Sequence, residues 1–224
     1  MNNIGDLILH ISPAKGEVVV EREIEGVMAR KTINPDDLAN CFLASRYDDE
    51  QHPTGLLPEG CIGVTIMPKY TYYYIRYPEL RVDFSYFGTL YPNFPIPRLV
   101  FCLKYMPKEK KVAECYVCVA KDERLKEDTP LYHYPFSNVY HDLRICTGNN
   151  AMPVYKDPAR LHTLVSYLLR LPNNNDLYDR EHNKLHAEYR DLLEQMKGKE
   201  PSLYYTDVLI ESGQTLKQFM ERKQ

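Results

Sequence analysis

The sequence predicts an α+β fold: an antiparallel β-meander with helices packed on one side. Three observations carry this. Between Cys61 and Ala120 the β-forming residues Val, Ile, Tyr and Phe come in short runs broken by prolines and turn formers. After Asp157 apolar residues recur at helical spacing instead. Runs of strands followed by runs of helices, rather than the two in alternation, place the helices against an antiparallel sheet. The chain's 224 residues, 44% hydrophobic and 26% charged, suffice for one sizeable core or two small ones.

In chain order, Leu7 to Ser12 and Glu17 to Ile24 read as a β-hairpin with Pro13 to Gly16 as its turn. Asn34 is a helix N-cap, Pro35 suits the first helical position, and Asp36 and Asp37 suit the positive helix start. Leu38, Cys41 and Phe42 share a face of that short helix. Residues 1–50 form this hairpin-and-helix extension, expected to pack on a main domain of residues 51–224, and Arg46 to Gly60 is a polar connection. Strands follow at Cys61–Met67, Tyr70–Tyr77 and Val82–Phe87, the last alternating Val82, Phe84 and Tyr86 with Asp83 and Ser85. Tyr91 to Pro97 is a proline-rich bend, since proline removes a ladder donor. Leu99–Tyr105 and Val112–Ala120 form a hairpin around Pro107–Lys110, with a lysine-rich tip. Asp157-Pro158 starts a helix that buries Leu161, Leu164, Val165, Leu168 and Leu169. A second helix is expected over Tyr178–Lys197, with Leu185, Tyr189, Leu192, Leu193 and Met196 on one stripe, stopped by Gly198. A short last helix carries Leu216, Phe219 and Met220, a face expected to dock on the body.

Composition excludes several function classes. A net charge of −3 gives no global electrostatic case for nucleic-acid binding. The 19 tyrosines suit cross-strand packing; stacking on bases is the other role for such a surface, but basic residues are not interleaved with them. No apolar run reaches the ~20 residues that span a membrane, and the first residues lack a signal-peptide pattern, so a cytoplasmic location is expected. The six cysteines then read as free thiols. Cys115-Tyr-Val-Cys118 lacks a second ligand pair for zinc and lies in a predicted strand, so packing is its expected role.

Thr129 to Pro153 departs from these patterns. It is dense in reactive side chains and has little apolar periodicity, the composition of an ordered loop that presents a thiol. Cys146 is near its centre, with His141 and Asp142 just upstream and Asn138 eight residues before it. An unperturbed thiol, with a pKa of about 8.5, is a few per cent ionised near neutral pH. That supports exchange with an already activated acyl group such as a thioester; attack on a plain amide needs a base. The Asn138 amide has two possible duties: to stabilise an oxyanion, an effect worth roughly 3 kcal/mol in other enzymes, or to hydrogen-bond the loop backbone and fix Cys146. His141 is a proton shuttle or a solvated surface histidine.

The segment Asn138-Val-Tyr-His-Asp-Leu-Arg-Ile-Cys146 resembles the active-site stretch of ubiquitin-conjugating enzymes. There an asparagine from a His-Pro-Asn triplet precedes the thioester-forming cysteine by the same eight residues. Here Phe136 and Ser137 stand in place of the histidine and proline, and Leu143 stands where the family often has glycine. The wider stretch Thr129-Pro-Leu-Tyr-His-Tyr-Pro-Phe-Ser-Asn-Val-Tyr, with Arg-Ile-Cys-Thr-Gly-Asn after it, is similar to prokaryotic ubiquitin-conjugating-like family D, a branch that includes the PRTRC system protein B group. The close match covers about 25 residues, and a looser similarity in element order covers most of the chain.

The resemblance implies a ubiquitin-conjugating fold and an acyl-carrier activity. A ThiF-type activating enzyme would adenylate the C-terminus of a small ubiquitin-like protein, and Cys146 would accept it and pass it to an amine of an acceptor the sequence does not name. Asn138 would steady the loop and the oxyanion. By proximity rather than by motif, His141 with Asp142 would deprotonate the amine. Tyr134, Pro135 and Phe136 would brace the loop by packing, and His133 is read as structural. No bound metal or organic cofactor is implied, ATP being used by the partner. Two other readings stand beside this one: a non-catalytic interaction module with the same fold, and a cysteine hydrolase built from Cys146 and His141.

Overall fold

The computed structural model describes residues 7–12, 14–24, 26–45 and 54–221, which fall into two units, Met1–Pro53 and Thr54–Gln224. In the first, β1 (Leu7–Ser12), β2 (Glu17–Ile24) and β3 (Val27–Ile33) form an antiparallel sheet in that order. The expected hairpin pairs from Leu7↔Arg22 to Ser12↔Glu17. Pro13 of its turn lies outside the described residues, while Gly16 (φ +64°) donates its N–H to the Ser12 carbonyl at 3.0 Å. Strand β3 was not expected, because Val27–Ile33 lacks an apolar alternation; Gly26 (φ +80°) turns the chain so that Ile24 pairs with Val27. Helix α1 (Pro35–Ser45) starts as expected, Asn34 Oδ1 accepting the Asp36 N–H at 2.9 Å. Of the polar connection expected over Arg46 to Gly60, residues 46–53 lie outside the described ones, as do residues 1–6 at the start of the chain.

The second unit is built on a six-stranded antiparallel sheet. Its strands are β4 (Cys61–Ile66), β5 (Thr71–Tyr77), β8 (Leu99–Met106), β9 (Lys111–Ala120), β10 (Pro130–Tyr132) and β11 (Glu211–Thr215), in the order β11-β10-β9-β8-β5-β4. Between β5 and β8 the chain makes a separate hairpin, β6 (Leu80–Tyr86) with β7 (Thr89–Ile96). Strand β7 corrects the expected proline-rich bend over Tyr91–Pro97. Proline is tolerated there because in a two-stranded ribbon each strand is an edge. Phe84 pairs with Tyr91 and Val82 with Phe94, so Pro92-Asn93 carries one extra residue as a bulge. Asn93 holds φ +50° and its N–H donates to Asp83 Oδ1 at 3.1 Å.

Both faces of the sheet are covered. On one face Ile75, Phe101, Leu103, Val117 and Val119 pack with α2 (His162–Leu169), α3 (Tyr189–Met196) and a π-helical turn at Tyr204–Val208. On the other, Tyr74, Val100, Cys102, Cys118 and Ala120 pack with Leu216 and Phe219 of α4 (Leu216–Glu221). The terminal helix thus docks on the body, and the Tyr74 hydroxyl donates to the Met220 carbonyl at 2.7 Å. Cys115 belongs to the first face and Cys118 to the second. Three residues apart on a strand, they point to opposite sides, so the C-x-x-C cannot converge on an ion. Burial pushes the Cys115 thiol far up. Many tyrosines are core residues, among them Tyr73, Tyr86, Tyr105, Tyr189 and Tyr204.

The expected second helix is shortened. Tyr178–Glu188 is an irregular loop with a 3-10 turn at Arg180–His182, and only Tyr189–Met196 is α-helical. The cause is Asn183, fully buried. Its amide donates to the Tyr178 hydroxyl (3.0 Å) and the Arg180 carbonyl (2.9 Å), and its Oδ1 accepts the Ala187 N–H (3.2 Å). These bonds offer the backbone an alternative to the helical ladder. Leu185, expected on the buried stripe, is exposed. Gly198 ends α3 region at φ +71° as expected.

Candidate active site

The stretch 129–153 begins as strand rather than loop, since Pro130–Tyr132 is β10, held between β9 and β11. The chain then crosses the helical face. Phe136 is buried, its ring 5.4 Å from Phe84 and 5.8 Å from Tyr204 between centroids. Ser137, also buried, donates from Oγ to Asn173 Oδ1 at 2.9 Å. Asn173, 6% exposed, accepts from Tyr189 as well and exchanges two main-chain bonds with Ser85 and Phe87 of the β6–β7 hairpin. An aromatic ring and a hydrogen-bonded serine therefore brace the loop at the positions where the resembled motif has His-Pro.

Asn138 to Cys146 is a tight hairpin. Val139 bridges Ile145, and the Cys146 N–H donates to the Asn138 carbonyl at 2.7 Å. Its return arm pairs with β9, Ile145 N–H donating to the Cys115 carbonyl (2.8 Å) and Val117 N–H to the Leu143 carbonyl (3.0 Å). Cys146 thus hangs from the central sheet. Asn138 holds φ +64°, and its side-chain amide donates to the Pro172 carbonyl at 3.0 Å, tying the hairpin to the segment that follows α2. Leu143, at the glycine position of the resembled motif, holds φ +65° with a buried side chain packed among Tyr116 and its neighbours.

Cys146 is half-buried in a cleft of 330 Å³ whose lining includes Glu114, Tyr140, Arg144, Gly148 and Asn149. The Tyr140 hydroxyl donates to Sγ at 3.4 Å. That contact raises the Tyr140 phenol above its ordinary value, so the phenol stays protonated beside the sulfur. The Arg144 guanidinium lies 4.8 Å from the Tyr140 ring centroid. Glu114 completes the wall, its carboxyl held below the usual range chiefly by a 2.6 Å hydrogen bond from Tyr116, with Lys104 and Arg144 adding to the effect. Sequence reasoning missed Tyr140; it stands two residues after Asn138, but only the hairpin brings its hydroxyl back to Cys146.

His141 and Asp142 occupy the exposed turn of the hairpin. Asp142 accepts the Arg144 N–H at 3.1 Å and faces its guanidinium at 3.8 Å. The His141 ring lies edge-on to His182, 6.1 Å between centroids. His182 in turn stacks on His133 at 3.9 Å. Burial pushes both His133 and His182 below the ordinary histidine value.

No curated protein and no solved structure matches the chain. The model of one family, prokaryotic E2 family D, matches residues 51–212. That span takes in strands β4 to β10, the cysteine hairpin, α2 and α3. With an antiparallel sheet carrying a thiol in a braced loop eight residues after an asparagine, the chain belongs to prokaryotic E2 family D, a group of ubiquitin-conjugating-like proteins.

Proposed function

We propose that Cys146 carries a small ubiquitin-like protein as a thioester. The thiolate attacks the thioester carbonyl on a ThiF-type activating enzyme; a new S–C bond forms at Cys146, the old one breaks, and the partner's thiolate leaves. An acceptor amine then attacks the same carbonyl, giving an amide and returning the Cys146 thiolate. The observation that carries the reading is the hairpin: a half-buried thiol in a cleft, its N–H fixed on the Asn138 carbonyl, its sulfur touched by Tyr140. Asn138 serves as the brace of that loop. The acceptor amine would meet the exposed turn, where His141 and Asp142 are the groups assigned to take its proton. No helix among the described residues is long and apolar enough to cross a membrane, which fits chemistry on dissolved partners.

Intact mass tests this, with the protein mixed with a competent activating enzyme, the ubiquitin-like protein and ATP. A reductant-sensitive adduct on Cys146 is expected, replaced in Cys146→Ser by a reductant-resistant ester. An adduct that survives Cys146→Ala overturns the assignment, and binding without any adduct leaves a non-catalytic interaction module.

A further inference from the structure

We propose that His141, Asp179 and His182 form a binding site for a divalent transition-metal ion of the zinc class. One ligand atom from each lies within 4.8 Å of the others, and His182 Nε2 is already 3.6 Å from Asp179 Oδ2. Three ligands at ~2.1 Å in a tetrahedral array stand about 3.4 Å apart, so small side-chain rotations close the set. Two of the three are pre-positioned. Asp179 accepts the Glu181 N–H on Oδ1 at 2.9 Å, which orients the carboxylate and directs Oδ2 toward His182. The 3-10 turn over Arg180–His182 brings positions three apart onto one side, and the stacked His133 ring sets the plane of His182. An ordinary His182–Asp179 ion pair accounts for two of these groups but not for His141, which arrives from a different loop.

Two imidazoles and one carboxylate suit zinc, cobalt(II) or iron(II) rather than calcium or magnesium, which take all-oxygen sets. Three protein ligands also leave a fourth position for water. The site does not depend on the thioester reading, but it bears on it. An ion would fasten the turn of the cysteine hairpin to the 179–182 segment and occupy one nitrogen of His141, so in the metal-loaded protein the acid–base duty of the turn would fall to Asp142.

The test is cobalt(II) titration of the chelator-treated full-length chain, read by visible d–d absorption and by equilibrium dialysis. One equivalent is expected, displaced by zinc. His141→Ala and His182→Ala should each weaken it by more than about tenfold, the size seen when even an outer-shell partner is lost. Cys146→Ser should leave it unchanged. His141 is exposed, so its variant keeps the fold, which circular dichroism checks. No binding by the folded protein, binding that survives His141→Ala, or binding lost in Cys146→Ser overturns the proposal.

Discussion

Leu143 joins two opposed demands. Its left-handed backbone costs roughly 1–2 kcal/mol for a residue with a Cβ, while burying its side chain contributes about 1.5–3 kcal/mol. The burial wins, so a leucine is held where glycine would sit without strain. Leu143→Ala keeps the strain and loses the packing, and should cost about 2–4 kcal/mol in urea unfolding. Leu143→Gly loses the packing but also the strain, so it should be the more stable of the two variants, by up to about 1 kcal/mol. A glycine variant less stable than the alanine one would show that the hairpin does not impose this backbone. At the same scale, the Asn138–Cys146 spacing was legible through the motif it resembles, whereas the hairpin that brings its two ends together was not, because the segment has little apolar alternation. Tyr140 was not, since nothing in a linear spacing says which way a ring folds over a turn.

Among elements, legibility followed periodicity. The paired strands around Pro107–Lys110 and the helix after Pro158 repeat apolar residues at their own spacing, and both form. The failures share a cause: a polar or special residue outvotes the local pattern. Leu185, Tyr189 and Leu192 read as a helical stripe, yet buried Asn183 draws its neighbours into a loop. Pro92 and Pro95 argued against a strand, yet a two-stranded ribbon has room for them. Asn183→Ala leaves the Ala187 N–H without its acceptor and the Tyr178 hydroxyl without its donor. It should cost about 2–3 kcal/mol, read by thermal unfolding. It should also speed amide exchange across 178–188 more than across α3; uniform exchange changes would show that Asn183 does not organise that loop.

For the molecule as a whole, among the described residues those that fill the two faces of the six-stranded sheet come from the second unit. A chain starting at Thr54 should therefore unfold in one cooperative transition and keep its near-ultraviolet tyrosine signal, as calorimetry and circular dichroism would check. A molten, non-cooperative fragment would mean that the first 53 residues complete the core. The fold class was legible at this scale because segregated strands and helices leave few arrangements. The second covered face was not, because α4 offers only a few apolar positions, too few to announce which surface they meet.

Because the arm leading to Cys146 is hydrogen-bonded to β9 over Cys115–Val117, the backbone on the near side of the thiol is held to the sheet. On the thioester reading proposed above, a slender, extended tail is the shape that suits the cleft that Gly148 and Asn149 help to line. On that same reading, selection of cargo would rest on the shape of its last few residues, and the speed of each encounter on how often that tail is free.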